Sequence, residues 1–244
     1  MDTLHEIRFP GETSPYRAAR DALLKAEIEL RKQIEAVAEF RRKLPLGGAI
    51  KEDYLFQRSA PLPDPASSPA SDSASAAQPV EVRFSELFAT DKPTLIIYSF
   101  MFEPADETPC TSCNSILDGL NGTAPHLMQQ TNFAVVAKSP AEKLHRWAKQ
   151  RHWHNLPLYS SSENHYNADY HAETPEGIQI PAINVFRKTD EGIFHFYNAE
   201  LLYAPMEAGQ DPRHADFFWP LWPLLDLTPE GRDAHWGPKH NYSA

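Results

Sequence analysis

The chain predicts an α/β fold, an open mixed sheet with helices on both faces, and three observations carry that reading. The run TLIIYSFMF (94–102) is nearly continuous in apolar, β-branched and aromatic residues, as a central strand buried on both faces should be. A Cys-x-x-Cys pair, Cys110 and Cys113, follows it across the loop EPADETPC and opens a helical stretch. Beyond the pair come a second buried strand, a capped helix and two strands joined by a Thr-Asp-Glu-Gly turn, an alternating order that builds a sheet covered by helices.

Taken from the start, residues 15–44 form one long helix in which Leu23, Leu30, Ile34, Val37 and Leu44 recur at helical spacing. Pro15 suits its first turn, and Pro45 with Gly47-Gly48 ends it. The apolar stripe is narrow. Packing against the chain's own domain is favoured over pairing with a second copy, which would make a homodimer. Residues 59–79, SAPLPDPASSPASDSASAAQP, are too poor in apolar side chains to offset the entropy of ordering. The segments on either side, DYLFQ (53–57) and VEVRFSELF (80–88), have strand character, with Val80, Val82 and Phe84 alternating. The expected organisation is a helical arm, 1–52, and an α/β domain, 53–244, with 59–79 a disordered Pro/Ala/Ser insertion in a hairpin loop.

After the strand at 94–102, a short helix over Thr111–Leu120 is expected to close at Asn121-Gly122. NFAVVAKS (132–139) is the next buried strand. Ser139 then caps a helix with Pro140 at its first position, Glu142 completing a capping box, and Leu144, Trp147 and Ala148 inward. LPLYSS (156–161) makes a short strand and 162–177 a loop. AINVFRK (182–188) and GIFHFYNA (192–199) are the final hairpin. The stretch FFWPLWPLLDLTP packs as a short helix and coil over the sheet.

Composition limits the partners. A formal net charge of −10 argues against nucleic acid or an anionic membrane surface, since both demand a basic footprint. No 18-residue apolar run and no basic-then-apolar leader are present, which predicts a cytoplasmic protein. Two cysteines are too few for a disulfide framework. In a reducing compartment their spacing means redox chemistry or half of a metal site. Cys110 would lie at the helix N-terminus, where unpaired N–H groups and the macrodipole stabilise a thiolate. Cys113, one turn on, would lie on the same face within disulfide reach. The metal alternative draws on His126, His152 and His154, but no second CxxC or HxxxH accompanies the pair, so neither metal nor cofactor is expected.

The ordered segments FMFEPADETPCTSCNSILDGLNGTAPHL, SPAEKLHRWAKQR, FRKTDEGIFHFYNA and LLDLTPEGR resemble the DUF899 group of thioredoxin-like proteins. The helix ending RRKLP, followed by KEDYLF, is similar to that group too. The resemblance covers nearly the whole chain. It implies a thioredoxin-like fold with peroxiredoxin-like N-terminal strands, and the group has no settled activity. A thioredoxin-like fold also implies that Pro181, which precedes the strand AINVFRK, takes the cis form, faces the CxxC and helps dock substrate; an ordinary edge-strand proline is the alternative.

The functional expectation is a thiol–disulfide oxidoreductase, with Cys110 as nucleophile, Cys113 as resolver, and Pro181 and Thr108 on the substrate side. Its substrate would be a protein disulfide or a small thiol or disulfide. A non-catalytic thioredoxin-fold binding module is the first alternative. A peroxiredoxin-like peroxide reductase is the second, drawing on Thr108 two residues before Cys110 and on Arg187 from a late strand. Glu103 and Asp106 are candidate proton acceptors, although solvated loop charge is the plainer role. For Phe217, Phe218, Trp219 and Trp222, core cover is favoured over a docking surface.

Overall fold

The computed structural model describes residues 4–58, 79–209 and 213–242. The chain divides into two compact units, Met1–Pro45 and Leu46–Ala244. The first carries α1 (Ser14–Arg42), which begins where the Thr13 hydroxyl accepts from the Tyr16 N–H at 3.3 Å, with a proline in its first turn. Glu12 pairs with Arg17, and Arg41 and Arg42 occupy the last turn, where the carbonyl end of the helix dipole favours cations.

The second unit is a seven-stranded sheet in the order β2-β1-β5-β4-β3-β6-β7. Its strands are β1 (Leu55–Arg58), β2 (Val80–Arg83), β3 (Thr94–Ser99), β4 (Asn132–Ala137), β5 (Leu158–Ser160), β6 (Ala182–Thr189) and β7 (Gly192–Asn198). β1 and β2 pair antiparallel from Leu55↔Arg83 to Arg58↔Val80, so the two segments flanking the Pro/Ala/Ser tract do form a hairpin. The tract itself lies outside the described residues apart from Pro79. β3 runs parallel to β4 and antiparallel to β6, and β6 turns back through a hairpin into β7. A central strand that leads into the CxxC helix, with a parallel neighbour on one side and an antiparallel hairpin on the other, makes this a thioredoxin-like sheet.

Period-two alternation assigns the faces of β3. Tyr98 and Phe100 join Ile116, Leu117, Leu144 and Trp153 beneath α2 (Thr111–Leu127) and α3 (Ala141–Arg151). Leu95 and Ile97 join Tyr54, Phe56, Phe84, Tyr166 and Phe186 on the other face, near the short α4 (Tyr166–Asp169). β4 is buried at every position, as a strand covered on both sides must be. The C-terminal segment, including α5 (Leu221–Leu225), packs Ala215, Phe218, Trp219 and Trp222 against the α2 side of the core. No helix among the described residues is long and apolar enough to cross a membrane.

Three local expectations are corrected. α2 does not stop at Asn121-Gly122 but continues through Pro125 to Leu127. Pro125 has no N–H to give the Asn121 carbonyl, yet Asn155 Nδ2 donates to that oxygen at 3.0 Å, so the interruption leaves no bare acceptor. Ser139 does not cap α3 either. Pro140 occupies the cap position without a side-chain bond, and the Ser139 hydroxyl instead donates to the Glu103 carbonyl at 2.9 Å. The segment 162–177, expected as loop, contains the single turn of α4.

Candidate active site

β3 delivers the chain to a loop that is fastened along its length. Phe100 N–H donates to the Val136 carbonyl at 2.8 Å, and Phe102 N–H to Gln179 Oε1 at 3.0 Å. Gln179 N–H in turn reaches Glu103 Oε1 at 3.3 Å. From α3, the Lys143 ammonium donates to the carbonyls of Glu103 (3.1 Å), Pro104 (2.9 Å) and Asp106, while lying 4.7 Å from the centroid of the Phe102 ring. Asp106 itself is exposed, and Glu103 is half-buried beneath these ties.

At the end of this loop Cys110 N–H donates to the Met101 carbonyl at 3.1 Å, and Cys110 becomes the N-cap of α2. Its backbone is extended rather than helical, and its sulfur accepts from the Cys113 N–H at 3.5 Å, the place a serine or aspartate oxygen takes in ordinary helices. Both cysteines are free. Cys110 is half-buried and Cys113 is 2% exposed. The Cys110 thiol is lowered to about 6, first by the hydrogen bond from the Cys113 thiol, against the cost of burial, and further by the N–H groups of Cys113 and Ser112. Cys113 is pushed well up, by donating its proton to Cys110 and by its own burial. The pair is therefore asymmetric: an acidic outer sulfur and an inner one held as a thiol.

The packing of α2 keeps this geometry in place. Asn114, buried directly after Cys113, accepts from Trp147 Nε1 at 2.9 Å, and Asp118 accepts from Arg151 at 2.5 Å and from Trp153 Nε1 at 2.8 Å, so α3 is tied along α2. Trp219 Nε1 donates to Ser115 Oγ at 3.2 Å from the C-terminal side. A cavity of about 340 Å3 opens there, with Ser112, Trp219, Trp222 and Trp236 in its wall. Phe217 is largely exposed, whereas Phe218 and Trp219 pack on the core.

The other predicted positions divide. Thr108 is exposed and lines a cleft of about 580 Å3 on the α3 side, together with Lys143, Arg146 and Trp147. The last β3–β6 pair is Ser99↔Ala182, so Pro181 follows in register beside Phe100, at the end of the sheet from which the Cys110 loop leaves. Its peptide bond is trans, because no cis bond occurs among the described residues, and this corrects the cis expectation. The trans form is the intrinsically favoured one, and the chain enters β6 from Ile180, whose N–H bonds the Ala172 carbonyl, without needing the other. Arg187 pairs with Thr94, at the opposite end of β3, and donates to its hydroxyl at 2.9 Å. It is therefore removed from the sulfurs, whereas Lys143 and Arg146 line the cleft that holds Thr108. His152 and His154 have ring centroids 6.1 Å apart, but no group of three or more His, Cys, Asp or Glu side chains among the described residues could hold a metal.

Lys143 and Tyr98 were not singled out from the sequence. Tyr98 was findable: counting by twos along β3 puts it on the face of the CxxC helix. The Lys143 tie links residues about forty positions apart and leaves no local signal.

No curated protein matches the chain. Solved structures similar to it include reduced Prx3 from Vibrio vulnificus in complex with hydrogen peroxide, at 12% identity over 69% of this chain and 88% of that one, with a TM-score of 0.42. AhpC from Enterococcus faecalis aligns at 11% identity over 75% and 94% of the two chains, TM-score 0.44. An uncharacterised conserved protein from Geobacillus kaustophilus aligns at 12% over 69% and 75%, TM-score 0.41. A family model described as "Bacterial protein of unknown function (DUF899)" matches residues 7–61 and 76–243, and the chain belongs to that family.

Proposed function

We propose that the protein is a thiol–disulfide oxidoreductase in which Cys110 attacks and Cys113 resolves. The observation that carries this reading is the asymmetry of the pair, a half-buried sulfur lowered to about 6 beside a buried thiol one turn further along α2. A thiol of that acidity is mostly thiolate at neutral pH, and the thiolate is the nucleophile. Cys110 attacks one sulfur of a substrate disulfide, and the other leaves as a thiolate. Cys113 then gives up its proton and attacks Cys110 Sγ, which releases the second substrate thiol and leaves a Cys110–Cys113 disulfide. The substrate is a protein disulfide or a small disulfide, docked between the Thr108 loop and Pro181. In a reducing compartment such as the cytoplasm, a cellular thiol returns the pair to the dithiol, with no metal or cofactor required.

The alkylation rate of Cys110 across pH tests the reading. A midpoint near 6 supports it, and a midpoint near the free-cysteine value of about 8.5 counts against it. Equilibration against a glutathione series completes the test. A pair that never closes into a disulfide leaves the non-catalytic thioredoxin-fold binding module as the better account.

Peroxide reduction is a second reading, supported by the cleft in which Thr108 sits beside Lys143 and Arg146. In this reading the Cys110 thiolate would form an S–O bond with one peroxide oxygen as the O–O bond breaks, the departing oxygen taking a proton. Cys113 would condense with the resulting sulfenic acid to release water and close the disulfide. Stopped-flow oxidation of the dithiol by hydrogen peroxide and by hydroxyethyl disulfide at equal concentration separates the two: the faster oxidant identifies the chemistry.

A further inference from the structure

The Tyr98 hydroxyl is buried beneath α2 and has no hydrogen-bond partner of ordinary geometry. The titratable groups facing it are Cys113, the stronger neighbour, and then Cys110. From the C-terminal segment its neighbour is the Phe218 ring, 6.0 Å away between centroids, which offers neither proton nor charge. A hydroxyl kept dry and unpaired normally costs stability, and such a group calls for a reason. A preorganised donor aimed where charge develops during a reaction supplies one.

We infer that Tyr98 is the positioning residue of the resolving step, its hydroxyl held ready to hydrogen-bond the Cys113 thiolate as that thiolate forms. The inference rests on the thiol–disulfide reading. In the dithiol state Cys113 is a thiol that donates to Cys110, and the Tyr98 hydroxyl beside its sulfur already favours the ionised form. Once Cys110 is tied into a mixed disulfide, Cys113 must ionise in a buried place to attack. The bond formed is Cys113 Sγ–Cys110 Sγ, the bond broken is Cys110 Sγ to the substrate sulfur, and the Cys113 proton goes to the departing thiolate or, where that thiolate is as weakly basic as an aryl one, to solvent. Tyr98 keeps its own proton throughout. Burial and the adjacent sulfurs hold the phenol far above its usual range, so it stays a donor at every working pH.

The test is the stepwise reaction of the reduced protein with 5,5′-dithiobis(2-nitrobenzoate), whose coloured thiolate is released once when Cys110 is captured and again when Cys113 resolves. Tyr98→Phe keeps the ring and removes only the hydroxyl. The expected result is an unchanged first phase, a second phase slowed by roughly 10- to 100-fold, and a pH midpoint of the second phase moved upward. Thermal melting checks the fold, and a variant with an unpaired hydroxyl removed should melt no lower than the native protein. As an independent measurement, the ultraviolet thiolate absorbance of Cys113 in a Cys110→Ser background should titrate at higher pH when Tyr98→Phe is added. A second phase with native rate and pH profile in Tyr98→Phe overturns the inference and leaves the redox reading standing. Absence of the second phase in the native protein overturns both.

Discussion

Cys110 carries two duties on one sulfur, helix cap and nucleophile, and both depend on Cys113. Replacing Cys113 by Ala removes the thiol that chiefly lowers Cys110 while leaving the backbone N–H groups in place. The Cys110 midpoint should rise toward the free-cysteine value of about 8.5, and iodoacetamide labelling at pH 6.5 should slow by roughly tenfold or more. Stability should follow the same sulfur. A group lowered on folding contributes stability that is present above its unfolded value and is lost as pH falls through its folded one. Urea midpoints should therefore rise from about pH 6 toward pH 8.5, and Cys110→Ser should flatten that rise. The CxxC was legible in the sequence because helix capping is local: the strand before it and the spacing within it are sufficient. The cis expectation at Pro181 was not secured that way, since the choice of isomer depends on how the chain from 172–180 arrives.

At the scale of elements, α2 shows how tertiary contacts override punctuation. Asn121-Gly122 reads as a stop, yet the helix runs on through Pro125, because Ala124 is buried and Asn155 supplies the bond that Pro125 cannot. Asn155→Ala should lower stability by about 1 kcal/mol, or roughly 2–4 °C in Tm, since it strips the Asn121 carbonyl of its partner while the backbone N–H of residue 155 keeps its bond to the Asn121 side chain. Gly122→Ala should act the other way. The position is exposed and helical, and a Cβ there meets nothing within 4 Å. Melting should rise by about 1–4 °C, reflecting about 0.5–1 kcal/mol of helix propensity. Ser139 illustrates the same limit on reading: its cap-like neighbourhood was plain, but its hydroxyl bonds the Glu103 carbonyl across the sheet end, a partner 36 residues away.

For the whole molecule, the order of elements was legible because each layer carries its own signal: near-continuous apolar runs in β3 and β4, a turn between β6 and β7, and helical spacing of Leu144, Trp147 and Ala148 in α3. The cross-links that make a site of those layers were not, since Lys143 and Gln179 act through separations that no window spans. The two faces of the sheet can be separated experimentally. Phe186 is fully buried on the face away from the cysteines, edge-on to Phe84 and to Tyr170, at 4.8 Å between centroids in each case. Phe186→Ala should cost about 3–5 kcal/mol in chemical denaturation. The Cys110 titration should stay in place in whatever fraction remains folded.

The sulfur that accepts the Cys113 N–H has a consequence for how the molecule reports its own oxidation state. Once that sulfur is joined to another, its negative charge is gone and the first turn of α2 is left with a weaker anchor. Amide hydrogen exchange at Ser112 and Cys113 should quicken on oxidation while the middle of the helix keeps its protection, so the helix tip becomes a readable gauge of the sulfur's history.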